Sequence, residues 1–217
     1  VLAPYSVQEL HDLTAEAFDL AERYRIPVMV LGDAILAMMR EPCRLRPVVE
    51  CPLAQELDWV VGSGLKGRER HVITSLYTDV SELERVNLRI AARLAEAAVR
   101  ETRWAEYGSD DPDILLCAYG IMGRVCESVV EMAEKLGIRA RLLRPITLYP
   151  FPTAALAGWA ERVEHCLVVE LSMGQFVEDV KLAVSGRCAV AWYGRTGGVV
   201  CTPEEVLEKL LAIQGGR

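Results

Sequence analysis

The chain has 217 residues, 52% of them hydrophobic and 25% charged, the balance of a globular protein with room for one or two domains. A formal charge of −7 and a pI near 5.1 exclude the basic stripe that nucleic acid requires and disfavour an anionic membrane surface. No apolar run approaches the roughly 20 residues of a membrane helix. Seven cysteines without a C-x-x-C pair argue against zinc or an iron–sulfur cluster and suit a reducing, cytoplasmic setting.

The opening Val1-Leu2-Ala3-Pro4 has no initiator Met, so an N-terminal piece is expected to precede it. Ser6-Val7-Gln8-Glu9 has the form of a capping box, in which a hydroxyl and a carboxylate reciprocally satisfy orphan N–H groups. Leu10, Leu13, Ala17, Leu20 and Tyr24 then recur on one helical face up to Pro27. Val28 to Leu31 reads as a buried strand, with Gly32-Asp33 as the turn after it.

Prolines 42, 47 and 52 and glycines 62, 64 and 67 punctuate an irregular stretch from about 41 to 80. A short strand at Val72-Ile73-Thr74 is possible there, and Asp58-Trp59 and the basic run Lys66 to Arg70 could meet a partner. Ser81-Glu82-Leu83-Glu84 is a second capping box. Leu83, Val86, Ile90, Leu94 and Ala97 form the apolar stripe of a long helix expected to strap across the next domain and to fray near Tyr107-Gly108.

From Asp113 the pattern is regular. Ile114–Ala118, Ala140–Arg144, Cys166–Leu171 and Cys188–Tyr193 are four continuous apolar strands. A helix follows each. The first turns Val125, Val129, Met132 and Leu136 inward and ends at Gly137. The second runs from Thr153 to Val163. Ser172-Met173-Gly174-Gln175 caps the third, and Thr202-Pro203-Glu204-Glu205 caps the last. The alternation implies a parallel sheet between helices, with the loops at its carboxyl edge gathered on one rim.

Four loops lie on that rim. Tyr119-Gly120-Ile121-Met122-Gly123 resembles a phosphate-cradling turn, since two glycines open a helix whose N–H groups favour an anion. It lacks a complete G-x-G-x-x-G and an acid after the next strand, and tight strand-to-helix packing explains it as well. Arg144 to Pro152 is stiffened by three prolines and carries Leu148, Tyr149 and Phe151. A rigid apolar loop suits a permanent interface, and one tucked onto its own core fits the same residues. Leu171–Gln175 and Gly194–Gly198 bring Gln175 and Arg195. Arg195 could clamp an anion or pair with a neighbouring acid. The candidate interface is therefore Arg144, Pro145, Leu148, Tyr149, Phe151, Gln175 and Arg195. His11, His71 and His165 have no nucleophile or carboxylate pair around them, so no catalytic, cofactor-binding or metal-binding residue is assigned.

Arg144 to Pro152, then Glu170 with Gly174 to Val180, then Gly194 to Gly198 together resemble the alpha-type subunit of 2-oxoacid:ferredoxin oxidoreductases. The likeness extends to Ala118-Tyr119-Gly120, Ser75-Leu76-Tyr77, Pro4 with Ser6 to Glu9, Ala17 to Ala21 and Arg25 to Val28. The Ser75-Leu76-Tyr77 form looks more like the branched-chain (2-oxoisovalerate) type than the 2-oxoglutarate type. This resemblance implies a fold class of α/β, a transketolase-C-like parallel sheet sandwiched by helices after the tail of a pyrimidine-binding α/β domain. The expected divisions are residues 1–41 for that tail, 42–112 for a linker and strap helix, and 113–214 for the second domain. It also implies oxidative decarboxylation of a 2-oxoacid to acyl-CoA, with electrons passed to ferredoxin. Thiamine diphosphate, magnesium and iron–sulfur clusters belong to the whole complex, and none is expected on this part alone. The implied partners are a beta-type subunit holding the diphosphate, gamma and delta subunits, and ferredoxin. The family's cofactor-contacting Glu and substrate-contacting Thr and Arg would precede Val1, leaving this part an assembly role. The alternative is a Rossmann-like nucleotide-binding regulatory module built on the Gly120 turn.

Overall fold

Alternate residues of a strand face opposite sides of a sheet, and the second strand of this protein buries both sides. The computed structural model describes residues 1–47 and 73–215. The chain divides into two compact units, Val1–Arg44 with Glu96–Arg217, and Leu45–Ala95.

In the first unit the sheet has five strands, β1 (Trp104–Gly108), β2 (Ile114–Ala118), β3 (Ala140–Pro145), β4 (His165–Glu170) and β5 (Ala189–Gly194), in the order β1-β3-β2-β4-β5. Among the described residues the helices, numbered in chain order, are α1 (Val7–Tyr24), α2 (Ala34–Met38), α3 (Val80–Arg100), α4 (Ile121–Lys135), α5 (Thr153–Ala160), α6 (Phe176–Val184) and α7 (Pro203–Gly215). Strands β2 to β5 pair in parallel, as their apolar runs require. Ile114, Leu116 and Ala118 pack with Cys126 and Val129 of α4 and with Val206 and Leu210 of α7. Leu115 and Cys117 pack on the other side with Leu156 of α5 and Val180 and Val184 of α6. The sheet is therefore a central layer with helices on both faces.

Several expectations need correction. The sheet has a fifth strand: α3 ends at Arg100, and Trp104–Gly108 pairs antiparallel with β3 instead of fraying. An edge strand needs no apolar run, and the mostly exposed Trp-Ala-Glu-Tyr-Gly gave no such signal. Val28 to Leu31 is not a buried strand. Only Val30 bridges, to Leu2, and Met29 is 58% exposed. Asp33 is not merely a turn residue but starts the short α2. In α4 the buried face is Met122, Cys126, Val129, Val130 and Ala133, while Leu136 is exposed.

Helix α3 runs from the second unit into the first, and of its expected stripe only Ala97 is buried, in a cluster with Leu13, Ala17, Leu20 and Tyr24 of α1. Ile73 and Thr74 form no strand; Val72, Cys51, Asp58-Trp59, His71 and the run Lys66 to Arg70 lie outside the described residues.

The caps divide similarly. Thr202 and Glu205 form the reciprocal box, at 3.2 and 3.0 Å. Ser6 Oγ accepts from Glu9 N at 3.1 Å, but the Glu9 carboxylate turns to Tyr5 N. Asp79, not Ser81, caps α3, accepting from Ser81 N at 2.8 Å and Glu82 N at 3.2 Å. Ser172 does not cap α6; Glu170 does. At α3 and α6 a carboxylate from outside the expected box, Asp79 or Glu170, holds the first N–H groups of the helix in place of the serine hydroxyl.

Candidate functional site

Helices α4 and α6 each begin where a strand ends, so their free N–H groups point to the carboxyl rim. Such a helix start attracts anions, and at both starts the anion comes from the chain itself. Asp33 Oδ2 accepts from Ile121 N, and Asp33 Oδ1 accepts from Leu36 N, both at 2.8 Å. One carboxylate thus starts both α2 and α4. Gly120 has a φ of +57°, and a Cβ there would lie 2.9 Å from Asp33 Oδ2. The glycine is needed to admit the carboxylate.

Glu170, at the end of β4, is 1% exposed. It accepts from Phe176 N at 2.9 Å, Val177 N at 3.3 Å and Trp192 Nε1 at 2.5 Å, and from the Ser172 hydroxyl. Among the described residues these partners are all neutral, so dipoles and a helix start stabilise the buried charge. Tyr119 stands between the two starts, its ring edge-to-face with Phe176 at 4.9 Å. Burial pushes its phenol pKa up, and the charges of Glu170, Asp33 and Asp179 push it further.

This arrangement removes the nucleotide-binding alternative. A phosphate at the Gly120 turn would have to displace Asp33 and would meet a negative field. A diphosphate cofactor would meet the same obstacle, so these residues do not fit one. Among the described residues no three His, Cys, Asp or Glu side chains gather as a metal would require.

The second rim loop is anchored from below. The Arg144 guanidinium, 4% exposed as a side chain, makes two hydrogen bonds to Glu9, at 2.8 and 3.0 Å. It stacks over the Tyr5 ring at 3.8 Å. A Cβ on Gly123 would lie 2.6 Å from Arg144 Cδ, so glycine makes room for the arginine stem. Thr147 is buried, and its Oγ1 accepts from Arg103 N at 2.9 Å. The residues between are therefore fixed at their base.

The candidate interface residues separate on this frame. Arg144 and Pro145 are buried. Leu148 and Phe151 are half-buried against the core under α5 and α6. Tyr149, followed by a cis peptide bond to Pro150, is 51% exposed. Gln175 is exposed, with its Oε1 accepting from Met173 N at 2.8 Å. Arg195 pairs with Glu205, the neighbouring-acid option. Sequence reasoning missed the roles of Asp33, Tyr5 and Glu9. Asp33 had a usable signal, since an Asp just before the apolar Ala34-Ile35-Leu36 is a helix start.

Between these elements lies a pocket of about 170 Å³, lined by Leu31, Gly32, Asp33, Leu171 and residues 119–122. Its walls are aliphatic and its charge is negative. It can accept a small apolar or cationic group, and no nucleophile with a base lines it.

Known proteins resemble the chain along its whole length. Residues 1–58 match the family model described as pyruvate flavodoxin/ferredoxin oxidoreductase, thiamine diP-bdg. Residues 112–206 match pyruvate:ferredoxin oxidoreductase core domain II. The chain is 42% identical over 215 residues to ketoisovalerate oxidoreductase subunit VorB of Methanothermobacter thermautotrophicus, covering 99% of this chain and 60% of that protein. It is 33% identical over 234 residues to 2-oxoglutarate synthase subunit KorA of the same organism, covering 97% of this chain and 62% of the relative. The chain thus spans about 60% of the length of the ketoisovalerate relative. A solved 2-oxoglutarate:ferredoxin oxidoreductase from Magnetococcus marinus superposes with a TM-score of 0.77 at 18% identity, over 97% of this chain and 41% of that one, which establishes a shared fold. With two of its domain types matched in order and this identity to its subunits, the chain belongs to the 2-oxoacid:ferredoxin oxidoreductase family, among the alpha-type subunits.

Proposed function

We propose that the chain is part of a thiamine diphosphate-dependent 2-oxoacid:ferredoxin oxidoreductase acting on a branched-chain 2-oxoacid. The reaction would convert the 2-oxoacid and coenzyme A to acyl-CoA and carbon dioxide, sending two electrons to ferredoxin. The observation that carries the substrate class is the 42% identity to a ketoisovalerate subunit against 33% to a 2-oxoglutarate subunit. Thiamine diphosphate supplies the carbanion chemistry when bound in the whole enzyme. Magnesium, iron–sulfur clusters and the beta-type, gamma and delta subunits belong to the same proposal.

Within that enzyme this chain's part is assembly. Residues 1–41 form the tail of the pyrimidine-side domain, 42–112 the connection, and 113–214 a domain whose rim seats a neighbouring polypeptide. Two features support this. The helix starts that would hold an anionic ligand are filled by Asp33 and Glu170. The loop carrying Tyr149 is held at its base by Arg144 and Thr147, so docking would cost it little entropy.

Reconstitution of the full-length subunit with its beta-type partner tests the proposal. Reduction of a viologen should require coenzyme A and run faster with 3-methyl-2-oxobutanoate than with 2-oxoglutarate. Faster turnover of 2-oxoglutarate would overturn the substrate assignment, and none with any 2-oxoacid would overturn the activity.

A further inference from the structure

We infer that the pocket between Leu31–Asp33 and the start of α4 is the anchor point for one basic side chain, a lysine or arginine, presented by a neighbouring subunit. This rests on the reading of the rim as a docking surface and names the chemistry of what docks.

Size limits the occupant. Cofactor and drug-sized sites run to roughly 300–1,000 Å³, and this pocket measures about 170 Å³. It suits a single long side chain entering from outside.

Wall chemistry then selects the side chain. Leu31, Ile121, Met122 and Leu171 supply an aliphatic lining, and Asp33 and Tyr119 supply the polar end. Lysine and arginine have the matching form, a methylene stem that lies along apolar surface and a cationic head. An aliphatic residue would leave the Asp33 carboxylate facing hydrocarbon, and an acidic one would meet it charge to charge.

The field points the same way. No basic side chain lines the pocket. The charges of Glu170, Asp33 and Asp179 all act on Tyr119 in its wall. Asp33 gives each oxygen one backbone N–H, which leaves lone pairs for a further donor. The chain's net charge of −7 adds a background of the same sign.

Two variants at the pocket mouth separate charge from shape. Leu31 is 38% exposed and lies outside any helix or strand, so a charged residue there leaves the core alone. Association of the full-length subunit with its purified partner subunits should weaken about tenfold in Leu31→Lys, through like-charge repulsion, and stay level or tighten in Leu31→Glu. The gap should shrink as salt rises. Equal weakening in both variants would mean an apolar anchor, and no change in either would mean an unused pocket; both results overturn the inference. A photo-crosslinking residue at position 31 of the assembled complex supplies a second readout. The expected product joins position 31 to a partner-subunit peptide with Lys or Arg at or beside the link. A product within the same chain, or to a peptide lacking a basic residue, overturns it. Viologen reduction by the wild-type complex reports the proposed activity separately, so either reading can fail while the other stands.

Discussion

Two buried charges hold this domain together by opposite means. Glu170 is surrounded by neutral donors, and Arg144 by a carboxylate and an aromatic face. The side-chain and backbone donors on Glu170 come from within 22 positions of it, from Ser172, the start of α6 and Trp192. Arg144 reaches Glu9, 135 positions away. The first network completes a unit of strand, helix and strand; the second ties the segment matching the thiamine-binding family model to the domain matching core domain II. A charge neutralised by dipoles belongs to one domain, whereas a charge neutralised by a distant ion joins two stretches of chain.

The strongest way to break the comparison is Glu170→Leu. It strands the N–H groups of Phe176 and Val177 and the Trp192 indole, and should cost about 3–5 kcal/mol in denaturant unfolding. Glu170→Gln keeps one acceptor oxygen and should cost less than half of that. Next is Arg144→Met, which leaves Glu9 without its cation and should cost about 2–4 kcal/mol. Adding Glu9→Gln should restore part of the loss, with a coupling of about 1–3 kcal/mol. An additive cycle would mean the two residues do not act as a pair.

Asp33→Ala comes third, at about 1–2 kcal/mol, because two helix starts lose an acceptor that water can partly replace. The smallest effect is acid sensitivity at Glu106. Burial opposes its charge, but Arg141 and the indoles of Trp159 and Trp104 outweigh that and hold its pKa below the usual carboxylate range. A depressed folded pKa contributes stability at neutral pH that is lost as pH falls from about 4.3 through the folded value. Glu106→Gln should therefore flatten the acid limb of the stability curve and leave its high-pH limb unchanged.

How legible all this was follows the same division. Strands β2, β3 and β4 were visible because a strand buried on both faces is a continuous apolar run, and β5, a partly exposed edge strand, was visible because Ala189 to Tyr193 is apolar all the same. Strand β1 was not, since its pairing depends on β3 and its own residues are mostly exposed. Thr202 and Glu205 cap as their spacing says, because nothing else competes for those N–H groups. Glu9 was read as a local cap and its bond to Arg144 was missed, because no local pattern encodes a contact across 135 positions. The rim loops were located correctly by strand order. That their anion positions are filled from within could be seen only once Asp33 and Gly120 were brought together.

The close approach of Gly123 to the Arg144 stem links two positions by volume. The helix can carry nothing larger than hydrogen at 123 while a long side chain passes at 144. A library randomised at both sites would return them as a correlated pair, with bulk admitted at 123 only where 144 has shortened. Each shortening would also release Glu9, so evolution along this line trades the fastening of the first helix for freedom in α4.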